Sequence, residues 1–136
     1  MPRAEVAGIA DEVVLSSVVD CDLAIFDQLS SGDVLFWDGS HVCFNGSDVC
    51  RLFLEVLPRI PPGVLVHVHD VSLPFAGFDR YNDVPDDLRT HSQSEQFMLA
   101  TFLLNAPAVT ILLPVFYLWK TRLVSDHGTS FWFLQG

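Results

Sequence analysis

The stretch Gly63-Val-Leu-Val-His-Val-His-Asp70 predicts the strand around which the rest of the chain is arranged. Its valines at alternate positions face one side of a sheet, while Leu65 and the two histidines face the other. A strand that is this apolar is typical of the buried parallel strands of α/β proteins. The polar pair His69-Asp70 closes it at its carboxyl end, where open α/β sheets bind ligands.

A second predicted strand, Asp33-Val-Leu-Phe-Trp-Asp38, ends in the same way and is followed by Gly39-Ser40-His41. Between the two strands, Ser47 or Asp48 caps a helix whose apolar residues recur with helical spacing. A strand–helix–strand unit of this length predicts two parallel neighbouring strands with a right-handed crossover. We therefore expect four polar side chains to converge at one edge of the sheet: Asp38, His41, His69 and Asp70.

The segments outside this unit also carry local signals. Residues 13–16 predict a short strand, and Asp22 caps a short helix that Gly32 ends. The long segment 71–91 begins directly after Asp70 and is expected to be a functional loop that folds over the strand ends as a lid.

The last third of the chain predicts one helix and two strands. Residues 92–95, Ser-Gln-Ser-Glu, form a capping box before a helix that runs to Asn105. Residues 109–119 and 130–134 predict strands, and a hairpin turn at 125–129 makes them antiparallel.

The composition favours a single folded domain, residues 1–136, and argues against several classes of partner. Half of the residues (50%) are hydrophobic, which is enough to build a core. The formal net charge of −10 argues against binding to nucleic acid or to an anionic membrane surface. The three cysteines form no CxxC pair and are expected to be free thiols in a reducing, cytoplasmic environment. No signal peptide is recognisable, and the longest apolar run, residues 108–119, is shorter than the ~20 residues that span a bilayer.

The polar residues at the strand ends have ordinary explanations when each is taken alone. Asp38 and Asp70 could be turn or cap residues, and His69 could be a satisfied core histidine. Taken together, two carboxylates and an imidazole at adjacent strand ends require a neutralising group, and Mg²⁺ would supply it. His41 lies near the same point and suits a general base, because an unperturbed imidazole titrates at about pH 6.5.

The other histidines are assigned to structure, although one of them belongs to a string with a second interpretation. His67 lies inside the strand and is expected either to pack in the sheet or to support the metal ligands from behind, whereas His91 is expected to cap a helix and His127 to lie in a turn. The string His67-Val-His69-Asp70 resembles histidine motifs of metallohydrolases, which makes a metal-dependent hydrolase a third candidate function. No second cluster of histidines completes a zinc or two-metal site.

Several segments resemble the C-terminal half of class I S-adenosylmethionine-dependent methyltransferases. These are residues 33–41, Gly46-Ser-Asp-Val49, Leu57-Pro58 and residues 62–70. The likeness is greatest to a bacterial group of small-molecule O-methyltransferases with an Asp-x-Ser-His motif after strand 4 and a His-Asp pair after strand 5. Leu73-Pro74, the helix around residues 95–104 and the last two strands also fit, so the resemblance covers about residues 13–133.

The resemblance implies a fold and a set of roles. The fold is a three-layer, Rossmann-like α/β sheet with strand order 3-2-1-4-5-7-6, parallel except for the final antiparallel strand. Metal-assisted members hold Mg²⁺ with the aspartate after strand 4 and two residues after strand 5. By resemblance the metal ligands are Asp38, His69 and Asp70, and His41 is the base that deprotonates the acceptor hydroxyl. The turn at Val19 and Asp20 corresponds to the turn that contacts the adenine of the cofactor, with Asp38 also on the cofactor side.

The chain differs from the family in its N-terminal segment. The family binds S-adenosylmethionine on a glycine-rich loop after strand 1 and on an acidic residue after strand 2, and residues 1–12 contain neither. The domain is therefore expected to lack the first two strands, which leaves the strand at residues 33–38 as an exposed edge for self-association or for a partner chain. The expected function is metal-assisted methyl transfer to a small-molecule hydroxyl, with activity reduced or lost by the truncation. The alternative is a non-catalytic remnant, or a subunit that completes the sheet of a partner.

Overall fold

The computed structural model describes residues 8–75, 93–106 and 108–136, which form an α/β fold with one four-stranded mixed sheet. The strands are β1 (Val34–Trp37), β2 (Leu65–Val68), β3 (Thr110–Pro114) and β4 (Phe131–Leu134). The α-helices are α1 (Asp48–Arg51), α2 (Glu95–Asn105) and α3 (Val115–Lys120), and a 3₁₀ helix covers Leu23–Gln28. None of the helices in these residues has the length and apolar character needed to cross a membrane.

The strands lie in the order β1-β2-β4-β3. β1 and β2 are parallel, with Val34 opposite Leu65 and Trp37 opposite Val68. β4 is antiparallel to both of its neighbours, so the other three strands run in one direction. The predicted parallel pair and the antiparallel last strand are both confirmed.

The crossover between β1 and β2 contains the predicted helix. Ser47 is its N-cap, and the Ser47 hydroxyl oxygen accepts the backbone N–H of Cys50 at 3.2 Å. After α1 the chain continues as a π-helical turn, Leu52–Val56, and a 3₁₀ turn, Leu57–Arg59. Pro58 has no N–H for a helical hydrogen bond, so the helix tightens and ends. The predicted apolar stripe is buried: Val49, Leu52, Phe53, Val56 and Leu57.

Gly63 allows the close approach of three segments at the start of β2. Its φ is +90°, and a Cβ at this position would collide with Ser31. Its N–H donates to the carbonyl of Gln135 at 2.7 Å, and its carbonyl accepts the N–H of Gly32 at 2.9 Å. A residue with a side chain would therefore be both strained and too large.

Only one face of the sheet is covered by helices in the described residues. In β1, Leu35 and Trp37 are buried, whereas Val34 and Phe36 are 49% and 54% exposed. β2 and β4 alternate in the same way between buried and partly exposed residues. β1 and β3 are the two edge strands in this part of the chain, and β1 pairs only with β2. At β1 the sheet thus has an open edge beside an apolar open face.

The prediction of one strand over residues 109–119 is wrong for its second half. The strand ends at Pro114, and residues Val115–Lys120 form α3. Proline cannot donate to a sheet ladder but is tolerated where a helix begins. A continuous apolar run is compatible with either structure, so the pattern alone did not separate them. β3 and β4 are antiparallel as predicted, but α3 and a turn join them instead of a tight hairpin.

Two N-terminal predictions need correction, and the predictions for the lid, for His91 and for Ser92 fall wholly or mostly outside the described residues. Residues 13–16 form no strand and are exposed, because no neighbouring strand pairs with them in the described chain. Asp22 caps the 3₁₀ helix as predicted, accepting the N–H of Ala24 at 2.9 Å, but the helix ends at Gln28, before Gly32. Most of the predicted lid, residues 76–91, lies outside the described residues.

Candidate functional site

The candidate site lies at the carboxyl ends of β1 and β2. Asp38 directly follows β1, and His69 and Asp70 follow β2. The backbone N–H of His69 donates to the carbonyl of Trp37 at 3.0 Å, which holds the two strand ends side by side. This is the edge at which open α/β sheets bind ligands.

His41 and Asp70 both have left-handed backbone conformations, with φ of +61° and +56°. For residues other than glycine this conformation costs about 1 kcal/mol or more, and it is concentrated at functional sites. The two sharp turns redirect the chain directly after the strands. As a result, the imidazole of His41 returns to the carboxylate of Asp38, three residues earlier.

The ring nitrogen Nε2 of His41 faces both carboxylates of the site. Its distance is 3.4 Å to Oδ1 of Asp38 and 3.6 Å to Oδ2 of Asp70. One ligand atom from each of these three residues lies within 4.8 Å of the other two, which is close enough for one metal ion. The side chain of His41 is 17% exposed and that of Asp38 is 49% exposed, so the site opens to solvent on the side of Asp38.

His69 lies at the margin of this cluster. Its Nδ1 is 3.2 Å from Oδ1 of Asp70 and 3.8 Å from Oδ1 of Asp38, but it makes no hydrogen bond in the described part of the chain. The structure therefore brings all four predicted residues together. His41 was predicted to lie beside the metal ligands, but in the structure it forms the most compact group of possible ligands together with Asp38 and Asp70. The separate roles of the two histidines stay predictions.

The loop that follows Asp38 is held by Asp48, the first residue of α1. The carboxylate of Asp48 accepts the backbone N–H of Ser40 at 2.7 Å and also accepts the Ser40 hydroxyl. A Cβ at Gly39 would collide with the Asp48 carboxylate and with the Trp37 indole, so a side chain at this position would force these groups or the loop to shift. Partial burial alone would raise the pKa of Asp48, but the hydrogen bonds from Ser40, together with those from the backbone N–H groups of Val49 and Asp48, outweigh it and hold that pKa below its usual value.

Glu95, the first residue of α2, completes the site and was missed as a functional residue by the sequence analysis. It is 1% exposed, and its Oε2 lies 2.8 Å from Nδ1 of His41. Burial raises the pKa of the Glu95 carboxyl, and the hydrogen bond between Glu95 and His41 opposes this only in part. In the predicted capping box, Ser92 and Glu95 would each bond the backbone of the other at the start of the helix. Ser92 lies outside the described residues, and the carboxylate of Glu95 faces His41 instead.

The chain after β2 is held by Thr129 and Gln96. The Thr129 hydroxyl donates to Oδ1 of Asp70 at 2.9 Å, and its carbonyl accepts the N–H of Val71 at 2.6 Å. The Ser72 hydroxyl donates to Oε1 of Gln96 at 2.9 Å. The first turn of α2 therefore contacts the chain after β2 as well as the loop after β1.

The predicted cofactor-contacting turn lies before the 3₁₀ helix. The backbone N–H groups of Val19 and Asp20 bond locally, to the hydroxyl and the carbonyl of Ser17. Within the described residues, neither Val19 nor Asp20 makes a hydrogen bond to Asp38. Their assignment to the cofactor stays a prediction.

His67 packs on the open face of the sheet. Its ring is stacked on Trp132 with centroids 4.0 Å apart, and it lies 4.7 Å from the ring of Phe36. Burial lowers the pKa of His67. This agrees with the packing role expected for it. His127 is exposed in the irregular segment between α3 and β4, and its ring centroid lies 4.4 Å from that of Trp119.

The acceptor atoms of the site lie close enough together to share a proton or a cation. One ligand atom from each of two carboxylates and one imidazole lies within 4.8 Å of the other two, and a positive species between them would lower the repulsion between the carboxylates. The site can therefore take up a proton from a bound hydroxyl or hold a divalent cation.

A comparison of the chain with models of protein families, with curated proteins and with solved structures finds no match.

Proposed function

We propose that the chain acts in methyl transfer from S-adenosylmethionine to a hydroxyl group of a small molecule. The observation that carries this proposal is the position of the site in the sheet order. In class I methyltransferases strands 4, 5, 7 and 6 are neighbours in that order, and strand 7 is antiparallel. The order β1-β2-β4-β3 with antiparallel β4 has the same pattern. Asp38 and Asp70 then follow the strands equivalent to 4 and 5.

In this proposal His41 is the general base. A hydroxyl bound in the crevice would pass its proton to Nε2 of His41, and its oxygen would attack the methyl carbon. The carboxylates of Asp38 and Asp70, at 3.4 and 3.6 Å from Nε2, would stabilise the resulting imidazolium. A positioned base of this kind contributes roughly 10²- to 10⁴-fold to a rate. S-adenosylmethionine, when bound, supplies the methyl group on a positively charged sulfur. The sulfur–methyl bond would break as the oxygen–methyl bond forms, and S-adenosylhomocysteine would leave as a neutral thioether.

A divalent cation fits the donor set of the site. Asp38 and Asp70 would hold Mg²⁺ through carboxylate oxygens, with His69 as the neighbouring nitrogen donor. When bound, the cation would lower the pKa of the acceptor hydroxyl. His41 would remain free to accept the proton.

We further infer that the sheet is the C-terminal half of a three-layer, Rossmann-like sheet. β1 is an edge strand, and the sheet face that carries Phe36 is open in the described residues. Additional strands and helices, in the same polypeptide or in a partner, would cover this edge and face. They would also supply the glycine-rich loop that binds the cofactor. Val19 and Asp20 would add the adenine contact from this chain.

The first experiment measures cofactor binding by the chain alone. Titration with S-adenosylmethionine, followed by amide chemical shifts, is expected to show weak binding or none, with the shifts of any weak binding centred on Asp38. Asp38→Ala should abolish the shifts, and the exposed Asp126→Ala should not. Micromolar affinity would contradict the inference that another segment supplies the loop. Shifts remote from Asp38 would contradict the site.

The second experiment measures methyl transfer. Labelled S-adenosylmethionine is incubated with the protein and a panel of small hydroxyl compounds, and label in the products is counted. His41→Ala should reduce transfer about 100-fold or more, whereas His127→Ala, which changes an exposed histidine, should not. Equal transfer by wild-type protein and His41→Ala would exclude His41 as the base.

The open edge of β1 favours a second candidate, a subunit that completes the sheet of a partner without taking part in catalysis. The two candidates differ in the importance of His41. In a reconstituted complex the non-catalytic subunit would leave methyl transfer unchanged on His41→Ala, whereas the catalytic one would lose it.

A further inference from the structure

The burial of Glu95 calls for a physical explanation. An ionised carboxylate is costly to bury without a partner, yet Glu95 is 1% exposed. In the described residues its ion-pair partner is His41, and no lysine or arginine forms an ion pair with it. The Trp37 side chain also acts to lower the pKa of the Glu95 carboxyl, more weakly than His41 does. A glutamate in the first turn of a helix interacts favourably with the helix dipole even when it is exposed. The burial therefore points to a task that involves His41.

Glu95 holds His41 at two points. Its Oε2 lies 2.8 Å from Nδ1 of the imidazole, and its backbone N–H donates to the His41 carbonyl at 3.1 Å. The preceding residue, Ser94, accepts the backbone N–H of Cys43 through its hydroxyl oxygen at 2.6 Å. The first turn of α2 thus fixes the backbone of His41, and the carboxylate of Glu95 fixes the orientation of its ring.

We propose that Glu95 is the positioning residue of the site: it accepts the Nδ1 proton of His41 and leaves Nε2 facing Asp38 and Asp70. In a neutral imidazole one nitrogen carries the proton, and the hydrogen bond at that nitrogen decides the state of the other. The lone pair of Nε2 is then directed at the crevice. The use of this lone pair as a base rests on the proposed function, whereas the tautomer itself does not.

The experiment reads the tautomer of His41 directly. Long-range proton–nitrogen correlation spectra are recorded on the nitrogen-labelled full chain with a chelator present, at a pH well above the ordinary imidazole pKa of about 6.5. His41→Gln assigns its signals among the five histidines. The wild-type protein is expected to carry the proton on Nδ1. Glu95→Ala and Glu95→Met should lose this preference, with most of the signal moving to the Nε2 tautomer.

Two variants distinguish an effect of the Glu95 carboxylate on the His41 ring from a general loosening of the first turn of α2. Glu95→Gln keeps an oxygen that can accept the Nδ1 proton and should retain the wild-type tautomer. Gln96→Ala loosens the same helical turn, but Gln96 bonds Ser72 and not His41, so the tautomer should again be unchanged. Loss of the Nδ1 proton in Gln96→Ala would show that the turn as a whole, and not the carboxylate, sets the tautomer.

A proton on Nε2 in the wild-type protein would overturn the proposal, because Glu95 would then be the protonated partner that donates to Nδ1. An unchanged tautomer in Glu95→Ala or Glu95→Met would overturn it as well. The wild-type spectrum shows which nitrogen of His41 carries the proton without the need for any variant. If Glu95→Ala fails to fold, Glu95→Met replaces it, because methionine keeps the length of the side chain.

Activity measurements keep this inference separate from the proposed function. Where methyl transfer is observed, Glu95→Ala should lower kcat about 10- to 100-fold, as expected for a residue that orients another, and Glu95→Gln should lower it less. Absence of transfer in every protein would count against the proposed function and leave the tautomer result standing. A wild-type tautomer on Nε2 would count against the role of Glu95 alone.

Discussion

Glu95 and His41 are 54 positions apart in the chain, and Oε2 of one lies 2.8 Å from Nδ1 of the other. This contact joins the start of α2 to the loop after β1, while Gln96, the next residue of α2, bonds Ser72 after β2. Both loops of the site are therefore held by one helical turn. The position of the imidazole depends on tertiary docking of α2 and not only on the strand that precedes it.

The first prediction concerns the hydrogen bonds of Asp48. Asp48→Asn removes the charge that accepts the N–H and hydroxyl of Ser40, and hydrogen bonds to charged groups contribute roughly 1.5–3 kcal/mol. We expect a loss at the lower end of that range, because the site is partly exposed to solvent. Urea unfolding at neutral pH measures it, with the exposed Asp11→Asn as the control.

The same substitution has a predictable pH dependence. The pKa of Asp48 is lowered in the folded protein, so its stabilising effect is fully present above the unfolded pKa of about 3.9. It is lost as the pH falls through the lower, folded pKa. The difference in unfolding free energy between wild type and Asp48→Asn should therefore shrink as the pH falls below about 4. A difference that stayed constant down to acid pH would show that the charge of Asp48 does not stabilise the loop.

The second prediction concerns Gly39. Gly39→Ala places a Cβ against the Asp48 carboxylate and the Trp37 indole, and the loop must move to relieve the collision. Because Asp38 and His41 flank this glycine, we expect a loss of at least about 1 kcal/mol in stability and altered amide shifts at both residues. Gly46→Ala is the control: Gly46 has a positive φ of 80° but open space at its Cβ, so its cost should be local. Unchanged shifts at His41 in Gly39→Ala would mean that the loop accommodates a side chain.

The third prediction concerns the cation. Mg²⁺ should raise the melting temperature of the wild-type protein, since a ligand at about 100 times its Kd stabilises the folded state by about 2.7 kcal/mol. Asp38→Asn and Asp70→Asn should abolish the effect, whereas the exposed Asp126→Asn should keep it.

The two histidines of the site decide which ligand set is used. His69→Ala should weaken the effect of Mg²⁺ and His41→Ala should not, because His41 is assigned the role of base. The opposite outcome, loss of the effect in His41→Ala only, would make His41 the ligand in the cluster it forms with Asp38 and Asp70 and would remove it as the base.

Strong local patterns explain what could be predicted from the sequence. β1, the crossover helix and β2 carry unmixed apolar patterns bounded by glycine, proline and capping residues, and their connection allows only a parallel pair. The convergence of Asp38 and Asp70 follows from that pairing. By contrast, the apolar run at residues 109–119 does not distinguish strand from helix, and only the structure shows the change at Pro114.

Glu95 shows why part of the site could not be predicted. A glutamate at the start of a helix has a sufficient local explanation as a capping residue. Its actual partner depends on how α2 packs against the loop after β1, which no short-range pattern encodes. The one available signal was the neighbouring Ser94 and Gln96, two more polar side chains on a turn that docks against the sheet.

The last prediction concerns the open edge of the sheet. β1 pairs only with β2 in the described residues, and Val34 and Phe36 are about half exposed beside this edge. An unpaired, apolar edge strand is a template for another chain. We therefore expect self-association, measured by light scattering and sedimentation. Association should increase with salt, because the net charge of −10 opposes it and is screened beyond about 8 Å at physiological ionic strength.

Val34→Lys tests whether the edge is responsible. A lysine on an edge strand discourages pairing, so association should weaken about tenfold, or roughly 1.4 kcal/mol. The matched control is Leu104→Lys on α2: Leu104 is 86% exposed, and its replacement changes the net charge by the same amount. If general repulsion governed association, both lysines would strengthen it by reducing the negative charge. Weakening by Val34→Lys alone would locate the contact at β1, whereas a monomer at every salt concentration would mean that the edge is covered within this chain.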